Sequence, residues 1–129
     1  MKSDIRKIAM GLALLIAAAI AVLSLMPGGS APPVPGSDKV KHFIAYAVLA
    51  APLAFSFGSR AKWRAFALAL AYGVFMEFAQ WAAPTGREAS VLDAIADALG
   101  AGLGVGIGLV ALKYYSAATT VSGSSSGTS

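Results

Sequence analysis

Apolar residues run along this chain in four long blocks, 8–26, 40–57, 65–83 and 91–112, separated by short polar breaks. A helix rises about 1.5 Å per residue, so about 20 such residues cross about 30 Å of hydrocarbon. Each block is near that length. The pattern predicts an all-α integral membrane bundle of four transmembrane helices. The break at 27–37 is rich in Pro, Gly and Ser and reads as an irregular, extended loop. The break at 58–64 carries Arg60, Lys62 and Arg64, and the one at 84–90 is a tight connection holding Arg87 and Glu88. Residues 1–115 form one membrane domain in this reading. The Ser, Gly and Thr stretch 116–129 is expected to be disordered.

Composition agrees. The chain has 129 residues, 57% hydrophobic and only 12% charged, with a mean hydropathy of +0.72. A soluble domain carries about 25% charged residues. The ten Lys and Arg residues are scattered between the apolar blocks rather than gathered on one face, which argues against a nucleic-acid partner. With no cysteine, thiol catalysis, disulfides and cysteine-based zinc sites are excluded.

Lys2, Arg6 and Lys7 ahead of an apolar run also describe a secretory signal peptide. The small-residue site Gly29-Ser30-Ala31 is followed by Pro32, which disfavours cleavage there, and the run is long for a signal. Retention as a helix is expected. The positive-inside rule then orients the bundle. One face carries Lys2, Arg6, Lys7, Arg60, Lys62, Arg64 and Lys113, and the other only Lys39, Lys41 and Arg87. Both termini are expected in the cytoplasm.

Six polar residues interrupt the apolar blocks at matching depths: Asp38, His42, Glu77, Gln80, Asp93 and Asp97. An ionisable side chain at bilayer depth costs about 2.5–3.5 kcal/mol, so such residues usually face a bundle interior and serve a purpose. Asp38 and His42 are one turn apart at the start of the second helix, with Ala45 and Leu49 continuing the stripe and Tyr46 four beyond His42. Gly73, Glu77 and Gln80 share a stripe on the third, and Asp93 and Asp97 are one turn apart on the fourth. Gly100, Gly104 and Gly108 extend the acidic stripe, and Gly102 and Gly106 form a second small-residue ladder. Glycine at that spacing lets a neighbouring backbone approach closely in lipid, which would turn Asp93 and Asp97 inward. Pro52 is expected to kink the second helix.

Simpler readings compete. The glycine ladders suit packing alone. Tyr46, Tyr72, Trp81, Tyr114 and Tyr115 suit interfacial or core positions. Lys39 and Lys41 suit snorkelling to headgroups, and the acidic cluster would also serve to clasp the helices.

Three motifs resemble the VanZ-like family of small membrane proteins. The first is Asp38-Lys39-Val40-Lys41-His42-Phe43 with Tyr46 after it. The second is Glu77-Phe78-Ala79-Gln80. The third is Arg87, Ser90, Asp93 and Gly100. The likeness covers roughly 37–108. Family members often have Asn where this chain has Asp97, so an acid stands here in place of a neutral amide. The family takes its name from a member that lowers sensitivity to teicoplanin, so the resemblance implies a cell-envelope role without an assigned reaction.

The leading expectation is an envelope protein of the cell membrane whose outward-facing polar site binds or acts on an amphiphile. A lipid-linked cell-wall precursor or a lipoglycopeptide has the required polar head and apolar tail. His42 and Glu77 are the candidate general acid/base pair, with Asp93 orienting His42. Asp38, Lys39, Gln80, Arg87, Ser90 and Asp97 are candidate ligand contacts, with Arg87 and a lysine suited to a phosphate or carboxylate. No compact metal motif such as H-E-x-x-H is present, so no cofactor and no metal ligand is assigned. A divalent ion on His42, Glu77, Asp93 and Asp97 is the lesser alternative. The competing functions are a structural or interaction protein and a proton or small-solute transporter.

Overall fold

The structure is a computed structural model that describes residues 2–26, 38–82 and 91–125. Its helices are α1 (Lys2–Leu25), α2 (Asp38–Phe57), α3 (Lys62–Ala82) and α4 (Val91–Ser125), with a 3₁₀ turn (Ser59–Ala61) between α2 and α3. Every described residue except Met26 and Gly58 is helical. All four helices contain a stretch long and apolar enough to cross a membrane. Hydrocarbon offers no partner to a backbone amide, so a spanning segment must satisfy its hydrogen bonds within itself.

The helices alternate in direction. Arg6, near the start of α1, reaches the end of α2. Gln80, near the end of α3, reaches the end of α1. His42 and Asp97 bring the starts of α2 and α4 together. The first and last described residues therefore lie at the same end of the bundle.

Burial runs opposite to that of a soluble protein. Ala13, Ala50, Ala54, Ala65, Ala69 and Ala101 are at most 1% exposed, whereas Leu15, Phe75 and Phe78 are at least 65% exposed. Small residues inside and large apolar residues outside are how helices pack closely in lipid. The most extensive interface joins α2 and α4. A Cβ at Gly100, Gly104 or Gly108 would land on the backbone carbonyl of Phe43, Ala47 or Ala51 respectively, so the first glycine ladder is the seam. The second is not a seam. A Cβ at Gly102 would meet only the Phe66 ring at 3.9 Å, and one at Gly106 nothing within 4 Å.

Gly58 ends α2 with φ of 86°, a conformation that L side chains avoid. Its N–H donates to the Ala54 carbonyl at 2.8 Å and its carbonyl accepts from Ala61 at 3.1 Å. The helix continues past Pro52 for five residues before this break.

The helices exceed their apolar blocks at the charged ends, because hydropathy marks the hydrocarbon layer rather than the limits of a helix. The largest difference is at the tail. Disorder was expected from residue 116, but α4 continues to Ser125. Thr119 and Thr120 turn their hydroxyls back onto the Ser116 carbonyl, at 3.0 and 2.8 Å, so their polar groups are satisfied within helical geometry. At 35 residues, α4 is about 52 Å long and outreaches the roughly 30 Å of hydrocarbon.

Candidate functional site

One end of the bundle collects the close of α1 and α3 and the start of α2 and α4. Below that end His42 sits four residues into α2, Glu77 five residues before the end of α3, and Asp97 six residues into α4. At about 1.5 Å per residue these lie about 6, 7.5 and 9 Å deep. Three separate helices thus deliver ionisable groups to one layer.

The His42 imidazole is the hub. Its Nδ1 is 2.8 Å from Asp97 Oδ1. A carboxylate only accepts, so the ring donates there. The same nitrogen is 4.0 Å from Glu77 Oε1, and Nε2 is 3.7 Å from Asp93 Oδ2. Lys39 Nζ reaches Asp93 Oδ1 at 3.4 Å. Lys39 is the exposed member of the cluster at 48%, His42 is 18% exposed, Asp93 9% and Asp97 1%. Lys39 lies on the exposed side of the cluster and Asp97 on its buried side. Tyr46 is buried beneath His42's turn of α2, and its ring lies 6.4 Å from Tyr72.

Asp97 Oδ2 is buried without a hydrogen-bond partner among the described residues. Gly73 explains how it fits: a Cβ there would lie 2.9 Å from Oδ2 and 3.2 Å from the Tyr46 ring. Asp93 Oδ1 is likewise buried without a hydrogen bond, the Lys39 ammonium standing near it as an ion pair. His42, Glu77 and Asp97 each offer one donor atom within 4.8 Å of the others, a spacing suited to a shared cation.

Of the expected site residues, Lys39, His42, Glu77, Asp93 and Asp97 converge. Asp97 rather than Asp93 is in hydrogen-bond contact with His42, and Asp93 is engaged by Lys39, which does more than snorkel. Gln80 is diverted. It is 5% exposed, and its amide donates to the Ser24 carbonyl at 3.1 Å, capping α1. Asp38 begins α2, while Arg87 and Ser90 lie outside the described residues.

Three contributions were missed. Arg6, read only as a topology signal, donates from Nε to the Ser56 carbonyl and from Nη2 to the Phe57 carbonyl, both at 2.6 Å. The Tyr72 hydroxyl donates to the Ala17 carbonyl. Gly73 was noticed on its stripe, but its role in accommodating Asp97 depends on the distance between α3 and α4, and the sequence carries no signal for that.

No curated protein and no solved structure matches the chain. A family model described as VanZ/LLP1 matches residues 4–112, a span that takes in all four helices and the His42 layer. The chain belongs to the VanZ/LLP1 family, as a multi-pass membrane protein.

Proposed function

We propose that this protein works in the cell envelope, with its polar layer opening to the outer face of the cell membrane and both ends of the bundle's long axis oriented as the positive-inside count requires. The layer, with Lys39 beside it, receives the polar headgroup of an amphiphile, of the kind carried by a lipid-linked cell-wall precursor or a lipoglycopeptide. The family's link to glycopeptide resistance fits this role. The observation that carries the reading is the convergence of His42, Glu77, Asp93 and Asp97 from three helices, with acceptor atoms of Asp93 and Asp97 left without hydrogen bonds.

In this reading half-exposed Lys39 meets the headgroup. A membrane-embedded site beside exposed apolar helices leaves the lipid tail in hydrocarbon. His42, held by Asp97, and Glu77 are the groups able to move a proton.

A clasp fits less well. A buried polar network that stabilises a fold satisfies its acceptors, since each orphan costs about 1–3 kcal/mol. The helices are already tied by Arg6, Tyr72, Gln80 and the glycine seam. Conduction also fits less well, because Leu49, Ala50, Leu53 and Ala54 fill the α2 core beyond the layer.

The test pairs membrane thermal stability with sensitivity to envelope antibiotics in His42→Ala, Glu77→Gln and Asp93→Asn. Glu77→Gln and Asp93→Asn, which leave the His42–Asp97 hydrogen bond in place, are expected to melt like the parent and lose the phenotype, while His42→Ala is expected to lose both. Loss of function only in proportion to loss of stability would establish the clasp instead.

A further inference from the structure

We infer that His42, Glu77 and Asp97 form a binding site for one divalent first-row metal ion of the Mn²⁺–Zn²⁺ class. The inference deepens the proposed function, resting on the reading of this layer as a working site. It starts from geometry. Donor atoms around an ion with bonds of about 2.0–2.2 Å stand about 3.0–3.5 Å apart, depending on coordination geometry. The observed atoms lie within 4.8 Å of one another, with Nδ1 of His42 2.8 Å from Asp97 and 4.0 Å from Glu77. Sharing one centre asks the Glu77 carboxylate to approach Nδ1 by about 0.5–1 Å. The ion would replace the Nδ1 proton, turning that ring nitrogen from a donor into a ligand.

The second support is the orphaned oxygen. Asp97 is 1% exposed and its Oδ2 has no hydrogen-bond partner among the described residues. It faces the α3 stripe on which Gly73 stands one turn from Glu77. The missing side chain at 73 keeps that oxygen uncovered on the side of the other carboxylate ligand. A carboxylate so placed can bind through both oxygens.

Charge points the same way. Asp97 is 1% exposed, and its Oδ2 has no hydrogen bond among the described residues, so a cation there would offset a charge that is costly to bury. One imidazole nitrogen with carboxylate oxygens disfavours Mg²⁺ and Ca²⁺, which take oxygen ligands, and suits Mn²⁺, Fe²⁺ or Zn²⁺. Asp93 approaches the opposite ring nitrogen at 3.7 Å. It serves as an outer-shell partner that orients the ring, as carboxylates do beside metal-bound histidines. An ion here would stand on the buried side of the cluster from half-exposed Lys39, with a charge suited to an anionic group of the headgroup.

The experiment uses the full chain in lipid nanodiscs, dialysed against EDTA and titrated with Mn²⁺ under electron paramagnetic resonance. One equivalent should bind, and pulsed spectra should show modulation from a single imidazole nitrogen. That signature needs no variant and so survives any folding defect. Folded His42→Ala, Glu77→Gln and Asp97→Asn should each weaken binding more than about 100-fold, since outer-shell partners alone cost about 10–100-fold. Lys39→Ala should bind at least as tightly as the parent. Absence of stoichiometric Mn²⁺ and Zn²⁺ binding, or binding without nitrogen modulation, overturns the site. Metal-free protein whose folded His42→Ala variant loses the antibiotic phenotype overturns the metal and leaves the envelope reading standing. Metal-loaded protein whose His42→Ala variant keeps the phenotype supports the metal and removes the envelope reading.

Discussion

Replacing Gly100 with Ala isolates what holds the polar layer together. The added Cβ would fall on the Phe43 carbonyl of α2, 2.9 Å from its carbon and 3.0 Å from the Phe43 Cα. Carbon atoms pack best at about 3.5–4.0 Å, so α2 and α4 must separate by about 1 Å. Phe43 follows His42 directly, and Gly100 lies three residues beyond Asp97 on α4. The same separation stretches the 2.8 Å His42–Asp97 contact to about 3.8 Å, past hydrogen-bonding range. Overpacking costs about 1–3 kcal/mol, and a lost hydrogen bond to a charged group about 1.5–3 kcal/mol. Better helix propensity returns at most about 1 kcal/mol. The net loss should be about 1.5–6 kcal/mol. Gly106→Ala is the matched control on the same helix. A Cβ there meets nothing within 4 Å, so it should be neutral or raise stability by up to about 1 kcal/mol. Melting of both variants in one detergent or lipid system decides the matter. Equal melting of the two would refute the reasoning, because they differ only in what the added methyl touches.

Two other contacts yield direct predictions. Gln80→Leu leaves the Ser24 carbonyl at the end of α1 without its donor; a loss of about 1–3 kcal/mol is expected, and Gln80→Leu protein melting like the parent would show that lipid or water satisfies that carbonyl. Arg6→Lys cannot span the Ser56 and Phe57 carbonyls with a rigid fork. It should loosen α1, seen as faster proteolysis near the N-terminus in membranes, whereas an unchanged cleavage rate would mean that α1 is held by apolar packing alone.

The four helices and the depth of the polar layer were legible without coordinates. Lipid forces each spanning segment to close its own hydrogen bonds, so an apolar run of the right length has one outcome. A fixed rise per residue then converts the positions of His42, Glu77, Asp93 and Asp97 into depths. The motifs Asp38 to Phe43 and Glu77 to Gln80 carried the family resemblance, and the match over residues 4–112 agrees. The helix over 116–125 is not legible in the sequence, because Ser and Thr composition does not reveal that two hydroxyls bond back onto their own helix.

Sequence by itself thus determined that the chain is a membrane bundle, which residues are too polar for lipid, and how deep they lie. These properties follow from each segment separately. Only tertiary structure decided the pairings. Asp93 and Asp97 share one stripe, and the approach of α4 to α2 at Gly100 put Asp97 on His42 and left Asp93 to Lys39. Gln80 lies three residues from Glu77, a rotation of about 60° around the helix, enough to turn it to α1 while Glu77 faces His42. Such choices depend on the separation and rotation of neighbouring helices, which are set by the contacts of all four at once.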